Sequence, residues 1–437
     1  MKRFKILAGT TLLILLYIAA FTYINKQRED LIDIEKSALI LSSEQIKINK
    51  EKELRYLQNK EELYKRIRLY FEKEIKSGGI VGAGISIVKG DSIILSDGFG
   101  KRDIHKKERV NGETVFRLGS LSKGFTGILT ADLKEEGKLN WNDKITDYLP
   151  DFHFGDDENT SHIKLAHILS HTSGTAYHSF TNLVEAGLPI TTIAKRFNAI
   201  KPISEPGQVY SYQNAMFSLS QEVIKKTTGN EITMALKNRF FKPLGMSTVS
   251  MDHKALLSYN NVALPHTKGT KGWRSLPLTN KYYNAVSAGG INASSLDMAK
   301  WMRFLLGHNP EVMRKNAIGE VFKPFIELKG HRKYYQRWPG HVKSAYGFGW
   351  RIHEFKDHET NESTTMWHHG GSVNNYRNEI AVYPESDLGI CVLLNGNSKL
   401  ARNVIPDLHD IVKKVYSLSL TKKEVKLDGY AALQATE

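Results

Sequence analysis

The stretch VFRLGSLSKGFTG, Val115–Gly127, places two serines and a lysine between glycines at the start of an apolar repeat. From Leu121 to Leu133, apolar side chains recur every four residues, the spacing of one face of an amphipathic α-helix. Gly137 follows this repeat, and glycine commonly ends a helix. The pattern predicts that Ser120 lies at the N-terminus of a helix.

Ser120 and Lys123 form a candidate pair of nucleophile and base. The N-terminus of a helix carries partial positive charge that favours a developing oxyanion, and a residue three positions on lies on the same helix face. The alternative is an ordinary serine that caps the helix. The spacing alone does not decide, because Ser-x-x-Lys also occurs at Ser86–Lys89, Ser161–Lys164 and Ser419–Lys422.

Two further motifs follow in order. PGQVYSYQNAMFSLSQEVIKKTTG, residues 206–229, contains Tyr212-x-Asn214 before a helical pattern, and MWHHGGSVNNYRNEIAVYP, residues 366–384, contains His-Gly-Gly on a predicted strand. With Ser-x-x-Lys, this set resembles the motifs of serine β-lactamases and penicillin-binding proteins. The resemblance is to the class C β-lactamase-related, peptidase S12-like hydrolases, a branch that includes DD-peptidases, D-aminopeptidases and esterases.

Both later motifs have competing matches in the chain. Tyr259-Asn260-Asn261 and Tyr282-Tyr283-Asn284 also fit Tyr-x-Asn, but neither has the preceding Pro-Gly or the following amphipathic helix. For the third motif, His369-Gly370-Gly371 is favoured over the register that begins at His368, because SVNNY then falls where relatives carry a turn. Further stretches, among them YGFGW, extend the resemblance from about residue 61 to about residue 418.

The resemblance implies a role for each motif residue. Ser120 forms an acyl-enzyme, Lys123 and Tyr212 share the proton transfers, and Asn214 orients Lys123 or the substrate amide. A serine attacks only when a neighbouring base takes its proton, and such a base needs a lowered pKa. The sequence leaves open which of Lys123 and Tyr212 is the resting base.

The resemblance also implies how the substrate is held. The backbone N–H groups of Ser120 and of Ser372, the residue after Gly371, form the oxyanion hole. His369 stands where β-lactamases carry a lysine, and a histidine with a pKa of about 6.5 is mostly neutral at pH 7. This difference argues against antibiotic hydrolysis and leaves esterase, amidase and peptidase activities open.

The fold class implied is α/β, more strictly α+β. It is the β-lactamase/transpeptidase-like fold, in which an antiparallel sheet is flanked by helices and carries a mostly helical insertion. Strand-like runs near both ends of the chain and helical patterns from about Ser120 to Gly307 agree with this. The predicted domains are a transmembrane helix at 1–25, a helical stalk or linker at 26–60, a hydrolase domain at 61–420 and a C-terminal tail at 421–437.

The N-terminal segment predicts a membrane anchor. Ile6 to Ile24 are 19 uncharged, mostly apolar residues, and a helix of that length spans roughly 28 Å, close to the thickness of a bilayer core. An uncleaved signal anchor is favoured over a cleaved signal peptide, because no clear cleavage site follows the apolar run. The expected location is the cytoplasmic membrane, as a single-pass protein with its catalytic domain outside the cytoplasm.

Composition excludes other classes of function. The net charge of +15 comes from lysines and arginines spread along the chain without a compact block, so a nucleic-acid partner is not expected. Cys391 is the only cysteine, which rules out an intrachain disulfide. A metal site at His358, His368 and His369 is disfavoured because no zinc motif accompanies them, and no cofactor is expected.

These patterns predict a membrane-anchored serine hydrolase that cleaves an amide or ester bond of a small peptide-like substrate. A D-amino-acid peptide derived from peptidoglycan is the leading candidate for that substrate. The alternatives are a non-catalytic penicillin-binding sensor or scaffold, which would be acylated without turnover, and a true β-lactamase.

Overall fold

The chain divides into two units in a computed structural model, which describes residues 2–357 and 361–417, without the side chains of residues 2–15, 38 and 41–44. One unit comprises residues 1–62 with 416–437, and the other comprises residues 63–415. All candidate catalytic residues lie in the second unit. The predicted boundaries at residues 25, 60 and 420 stay predictions, and the tail at 421–437 lies outside the described residues.

The helices and strands are numbered in chain order. The helices are α1 (Lys2–Lys76), α2 (Ser122–Glu135), α3 (Ile145–Tyr148), α4 (Asp157–His162), α5 (Leu165–Leu169), α6 (Thr181–Glu185), α7 (Ile190–Ala194), α8 (Asn214–Thr228), α9 (Ile232–Leu236), α10 (His253–Ser258), α11 (Val286–Gly289), α12 (Ser295–Leu305), α13 (Lys315–Glu320) and α14 (404–417). The strands are β1 (Gly82–Lys89), β2 (Ser92–Gly100), β3 (Val115–Arg117), β4 (His266–Gly269), β5 (Gly272–Ser275), β6 (Asn292–Ser294), β7 (Ile326–Glu327), β8 (His341–Tyr346), β9 (Arg351–Lys356), β10 (Ser363–Val373), β11 (Tyr376–Tyr383) and β12 (Leu388–Leu394).

No helix among the described residues is both long and apolar enough to cross a membrane. The membrane helix expected within residues 1–25 therefore finds no support here, and the side chains of residues 1–15 lie outside the described part of the chain. The backbone of residues 26–60, the expected stalk, is helical as part of α1.

The main sheet is antiparallel and joins both ends of the second unit. Its strand order is β2-β1-β12-β11-β10-β9-β8-β7, so the N-terminal hairpin pairs with the last strand, with Ile85 opposite Val392. Every residue of β12 is buried, as expected for a central strand covered on both faces. The structure confirms the antiparallel sheet with flanking helices and a mostly helical insertion.

Helix α2 lies in the core and fixes the position of the residues just before it. Phe125 stacks on Trp301 of α12, with ring centroids 4.2 Å apart, and Ile128 and Leu129 are fully buried. Burial of each such side chain stabilises the fold by about 1.5–3 kcal/mol. The start of α2 is thereby held against α12 in the core.

Strand β10 is paired along only part of its length on one side. It pairs with β11 from Trp367 to Val373, but with β9 only from Ser363 to His368. In the described chain, residues 369–373 therefore have no strand partner on the β9 side, and we call them the free edge.

Candidate active site

Ser120 lies in the turn that joins β3 to α2. Residues Gly119–Leu121 form one turn of 3₁₀ helix, which runs directly into α2. The N-cap residue of α2 is Leu121, and no side chain caps the helix there. The ordinary capping role proposed as the alternative is therefore wrong for Ser120, and its half-buried hydroxyl is left for other contacts.

The Lys123 ammonium group is fully buried beside Ser120. Its Nζ lies 3.4 Å from Ser120 Oγ, 2.7 Å from Asn214 Oδ1 and 2.8 Å from the carbonyl oxygen of Ala288. Burial, with a smaller contribution from the positive charge of Arg351, holds the pKa of Lys123 well below its usual range. The amine is therefore driven towards its neutral form.

Asn214 is the first residue of α8, and its amide is oriented by a second contact. Its Nδ2 donates a hydrogen bond to the Tyr282 hydroxyl at 3.1 Å, so Oδ1 faces Lys123. Gln213 caps the helix by accepting a hydrogen bond from the N–H of Ala215. This cap and the Tyr282 contact fix the carbonyl oxygen that Lys123 meets.

Tyr212 lies two residues before α8, with its ring beside Lys123. Lys123 Nζ is 4.9 Å from the ring centroid, and the ring of His171 packs on Tyr212 at 4.2 Å. His171 Nδ1 accepts a hydrogen bond from the N–H of Gln213 at 3.2 Å. Burial raises the pKa of Tyr212 to about 12, against the lowering effect of a hydrogen bond with Ser120, so the phenol is protonated at neutral pH.

The backbone N–H of Ser372 points out of the sheet on the unpaired side of the free edge, away from β11. Asn374 and Asn375 have φ values of 46° and 63°, as in the type I′ turn of a two-residue hairpin, and Val373 pairs with Tyr376 beside the turn. Hydrogen-bonded and non-hydrogen-bonded pairs alternate along an antiparallel ladder. The first pair, at Val373, is the hydrogen-bonded one, so the polar backbone groups of Ser372 face away from β11.

Glycines allow the free edge to meet the turn that carries Ser120. Gly119 has a φ of +58°, and a Cβ there would lie 2.9 Å from Ser372 N. A Cβ at Gly371 would lie 2.2 Å from the carbonyl oxygen of Leu118. No larger residue fits at either position, so the backbone N–H groups of Ser120 and Ser372 lie on segments in direct contact.

His369 lies at the site, and both nitrogens of its buried ring are used. Nδ1 lies 2.8 Å from the Gly370 carbonyl oxygen, which can only accept, so Nδ1 carries the proton. Nε2 accepts from the Tyr346 hydroxyl at 3.0 Å. Burial, with a smaller contribution from the positive charge of Arg351, holds the pKa of His369 well below its usual range, so the ring is neutral.

The structure thus brings together the residues of the three sequence motifs. The ring centroids of His369 and Tyr212 are 6.4 Å apart, whereas His368 contacts Glu379 at 2.8 Å. Gly371 and Ser372 continue the free edge beside Ser120. The proton-transfer and oxyanion-hole roles given to these residues stay predictions.

Sequence reasoning missed three residues of the site. Tyr282, which holds Asn214, belongs to one of the discarded Tyr-x-Asn matches. Tyr346 begins the YGFGW stretch and Arg351 directly follows it, but no motif marked either as functional. Arg351 is a cation whose Nε and Nη1 are buried without a hydrogen-bond partner among the described residues.

No group of three or more histidine, cysteine, aspartate or glutamate side chains is placed to hold a metal ion within the described part of the chain. His358, one of the three histidines considered from the sequence, lies outside the described residues.

A protein-family model described as Beta-lactamase matches residues 67–411. Among curated proteins, the chain is similar to "Protein flp" of Staphylococcus aureus, with 26% identity over 353 residues. The match covers 79% of this chain and 65% of that protein, so the chain spans about two thirds of the length of that relative.

Two solved structures share the fold. EstCE1, described as a hydrolase with promiscuous acyltransferase activity, has 18% identity and a TM-score of 0.68, with 81% of this chain and 99% of that chain covered. A D-stereospecific amidohydrolase from Streptomyces sp. has 20% identity and a TM-score of 0.58, with 74% and 93% covered. At these identities the likeness shows the fold alone.

Proposed function

The chain belongs to the beta-lactamase family, and on that premise we propose that it is a serine hydrolase that cleaves an amide or ester bond through an acyl-enzyme on Ser120. The observation that carries the proposal is the set of three contacts around Lys123 Nζ. The substrate proposed is a small peptide-like molecule, and a D-amino-acid peptide from peptidoglycan is the leading candidate.

Lys123 is the proposed base because its contacts occupy both N–H donors of a neutral amine and leave its lone pair for Ser120. An uncharged amine has two N–H donors and one lone pair. Asn214 Oδ1 and the Ala288 carbonyl oxygen can only accept, so they take both donors. The lone pair is left for the remaining neighbour, the hydroxyl of Ser120, and Lys123 can take its proton as Oγ attacks the substrate carbonyl.

Tyr212 is the proposed acid. Its phenol is protonated at neutral pH, as the pKa of about 12 requires, and can give its proton to the leaving nitrogen or oxygen. The Lys123 ammonium then restores that proton, so one proton passes from Ser120 to the leaving group. The N–H groups of Ser120 and Ser372 stabilise the oxyanion that forms meanwhile.

Because the neutral His369 offers no fixed cation to a carboxylate, the proposed substrate is one whose scissile amide or ester bond has no free carboxylate directly beside it. Two proteins of the same fold are described as a hydrolase with promiscuous acyltransferase activity and a D-stereospecific amidohydrolase, which is chemistry of this kind. For location, we propose that the apolar run Ile6 to Ile24 anchors the protein in the cytoplasmic membrane, with the catalytic domain outside the cytoplasm.

The test is covalent labelling and turnover in Ser120→Ala. We expect this variant to lose both labelling by a fluorophosphonate probe and hydrolysis of a chromogenic ester, because it lacks the nucleophile. Ser161→Ala is the matched control, since Ser161 is an exposed serine in the same Ser-x-x-Lys spacing, and it should keep both. Labelling of Ser120→Ala at full stoichiometry would refute the assignment, and a single burst without turnover in the wild type would instead indicate a sensor.

A further inference from the structure

A cluster of buried polar side chains lies directly beneath Gly370, and the proposed mechanism does not use it. Glu379 is opposite Gly370 on β11, and its carboxylate accepts from the Tyr334 hydroxyl at 2.8 Å and pairs with Arg377 at 3.0 Å. A Cβ at Gly370 would lie 2.8 Å from the Tyr334 hydroxyl oxygen and 3.0 Å from Glu379 Oε2. The cluster therefore packs on the backbone of the free edge.

A row of hydrogen bonds connects this carboxylate with a half-buried histidine. Glu379 Oε2 lies 2.8 Å from His368 Nε2, and His368 Nδ1 lies 3.2 Å from His353 Nε2. His353 Nδ1 lies 2.7 Å from Ser344 Oγ, which lies 2.7 Å from Nε2 of His341. His353 and His368 are fully buried, whereas His341 is partly exposed.

The hydrogen positions along this row follow from the charge of Glu379. An ionised carboxylate only accepts, so His368 carries its proton on Nε2 and its Nδ1 accepts from His353. His353 in turn accepts from the Ser344 hydroxyl, which accepts from Nε2 of His341. Each group then donates once towards Glu379 and accepts once from the other side, the arrangement that conducts a proton.

The proton transfer balances along the row. A proton taken up at Nδ1 of His341 releases the proton on its Nε2 to Ser344, and each following group passes on the proton that it carried. The last transfer protonates Glu379, and His341 ends neutral with its proton on Nδ1. No bond between heavier atoms changes, and every hydrogen bond of the row ends reversed.

The groups that face Glu379 leave it able to titrate near neutrality. Burial raises the pKa of Glu379 to about 7, against the lowering effects of the charges of Arg377 and Arg351 and of the hydrogen bond from Tyr334. Burial raises the pKa of the Cys391 thiol on the neighbouring strand β12, and the charge of Glu379 raises it further, so this thiol stays protonated.

We infer that His341, Ser344, His353 and His368 carry protons between solvent and Glu379, and that ionised Glu379 holds the free edge in its active position. The inference rests on the proposed function, because the group so positioned is the Ser372 N–H. In the ionised form Glu379 accepts from His368, Tyr334 and Arg377 at once. When protonated it donates to His368 instead, and the loss of its negative charge weakens the pairing with Arg377 and the hydrogen bond from Tyr334, which hold the carboxyl group against Gly370.

The first test is the pH profile of kcat/KM on a neutral ester. In the wild type we expect activity to rise near pH 7 as Glu379 ionises. Glu379→Gln should lose this step and remain about tenfold or more less active at high pH, a usual scale for a misplaced catalytic group. The control is Glu354→Gln, which removes a solvent-exposed carboxylate of β9 that pairs with Lys343. This variant should keep the rise in activity near pH 7.

A second test does not need turnover. Infrared titration of the full chain should show a protonated carboxyl band that disappears near pH 7 and is absent in Glu379→Gln. Tyr334→Phe removes a donor that lowers the pKa of Glu379, so its step should move to higher pH. This variant also keeps the inference testable if Glu379→Gln does not fold.

Proton transfer along the row is tested by Ser344→Ala. This variant removes the hydroxyl that bonds to His341 and to His353, each at 2.7 Å. After a rapid pH drop, the carboxyl band should appear at least about tenfold more slowly in Ser344→Ala than in the wild type, because the relayed path is lost. Equal rates would overturn the relay, and a band that persists in Glu379→Gln would overturn the assignment to Glu379. Absence of turnover with the infrared step intact would refute only the proposed hydrolase.

Discussion

Lys123 is surrounded by two aromatic rings, two carbonyl oxygens and one hydroxyl, and these neighbours decide its charge. Its Nζ lies 4.9 Å and 5.3 Å from the ring centroids of Tyr212 and Phe217. No carboxylate is among these contacts, so the ammonium form has no anionic partner to offset its desolvation. The amide of Asn214 therefore helps to keep Lys123 neutral, because its oxygen accepts a hydrogen bond without adding the negative charge that would favour the ammonium form.

Asn214→Asp should test this point with almost no change in shape. A carboxylate at 2.7 Å from Nζ would favour the ammonium and raise the pKa of Lys123. We expect kcat/KM at neutral pH to fall by about 100-fold or more, the scale for loss of a general base. Part of the activity should return as the pH is raised and Lys123 loses its proton.

The control is Asn284→Asp, at the end of the Tyr282-Tyr283-Asn284 match to the same motif. Asn284 donates to the Leu188 carbonyl oxygen at 2.7 Å and makes no described contact with Lys123. Its substitution should leave the pH profile of kcat/KM in place. Unchanged activity in Asn214→Asp would show that Lys123 is not the base.

At the scale of secondary-structure elements, the sequence predicts most of what forms from local patterns. The apolar repeat before Gly137 predicts α2, and Tyr212-x-Asn214 followed by an amphipathic pattern predicts the start of α8. Strands β1, β2, β11 and β12 follow from their apolar runs. These elements are predictable because their periodicity directly reflects which side chains are buried.

Other elements depend on contacts between distant segments and could not be predicted. Strand β8, His341–Tyr346, is mostly polar and forms because β9 pairs with it. The apolar repeat of Leu57, Tyr64, Ile67, Phe71 and Ile75 predicts one buried face for the helix before β1. Ile67 and Phe71 are buried as predicted, but Leu57 and Tyr64 are 54% and 39% exposed, and Leu63 is buried although the repeat leaves it out. The free edge of β10 is also invisible in sequence, because it reflects where β9 begins.

The contact between the turn at Gly119 and the free edge can be tested with two glycines. Gly119→Ala should cost about 1–2 kcal/mol of stability for its positive φ and should also push Ser372 away, since the Cβ would lie 2.8 Å from Ser372 C. We expect kcat/KM to fall by about 100-fold to 1000-fold, the scale for losing one oxyanion donor. Activity and thermal unfolding are measured together.

Gly137→Ala is the matched control for that substitution. Gly137 also has a positive φ, +71°, but nothing lies within 4 Å of its Cβ position. It should lose a similar amount of stability without loss of kcat/KM. Equal activity in the two variants would show that the Gly119 contact does not position the oxyanion hole.

At the scale of the whole molecule, the second unit begins inside a helix. Residues 63–76 of α1 belong to it, and Leu63, Ile67 and Phe71 are fully buried. Burial of three such side chains contributes about 5–9 kcal/mol, comparable with the entire free energy of unfolding of a typical domain, about 5–15 kcal/mol. The second unit therefore depends on this part of the helix for its stability, whereas residues 1–62 belong to the other unit.

Truncation should separate folding from membrane attachment. A chain that starts at Glu61 should be soluble and should keep kcat/KM on a chromogenic ester within about twofold, because every residue of the candidate site belongs to the second unit, which begins at Leu63. A chain that starts at Ser77 should fail to fold, because it lacks all three buried side chains. The proposed anchor at Ile6 to Ile24 is tested separately: if this segment spans the bilayer core, the full chain should sediment with membranes after a carbonate wash. Recovery of the full chain as soluble, N-terminally trimmed protein would instead identify the segment as a cleaved signal, and a folded, active chain from Ser77 would contradict the assignment of the helix to the core.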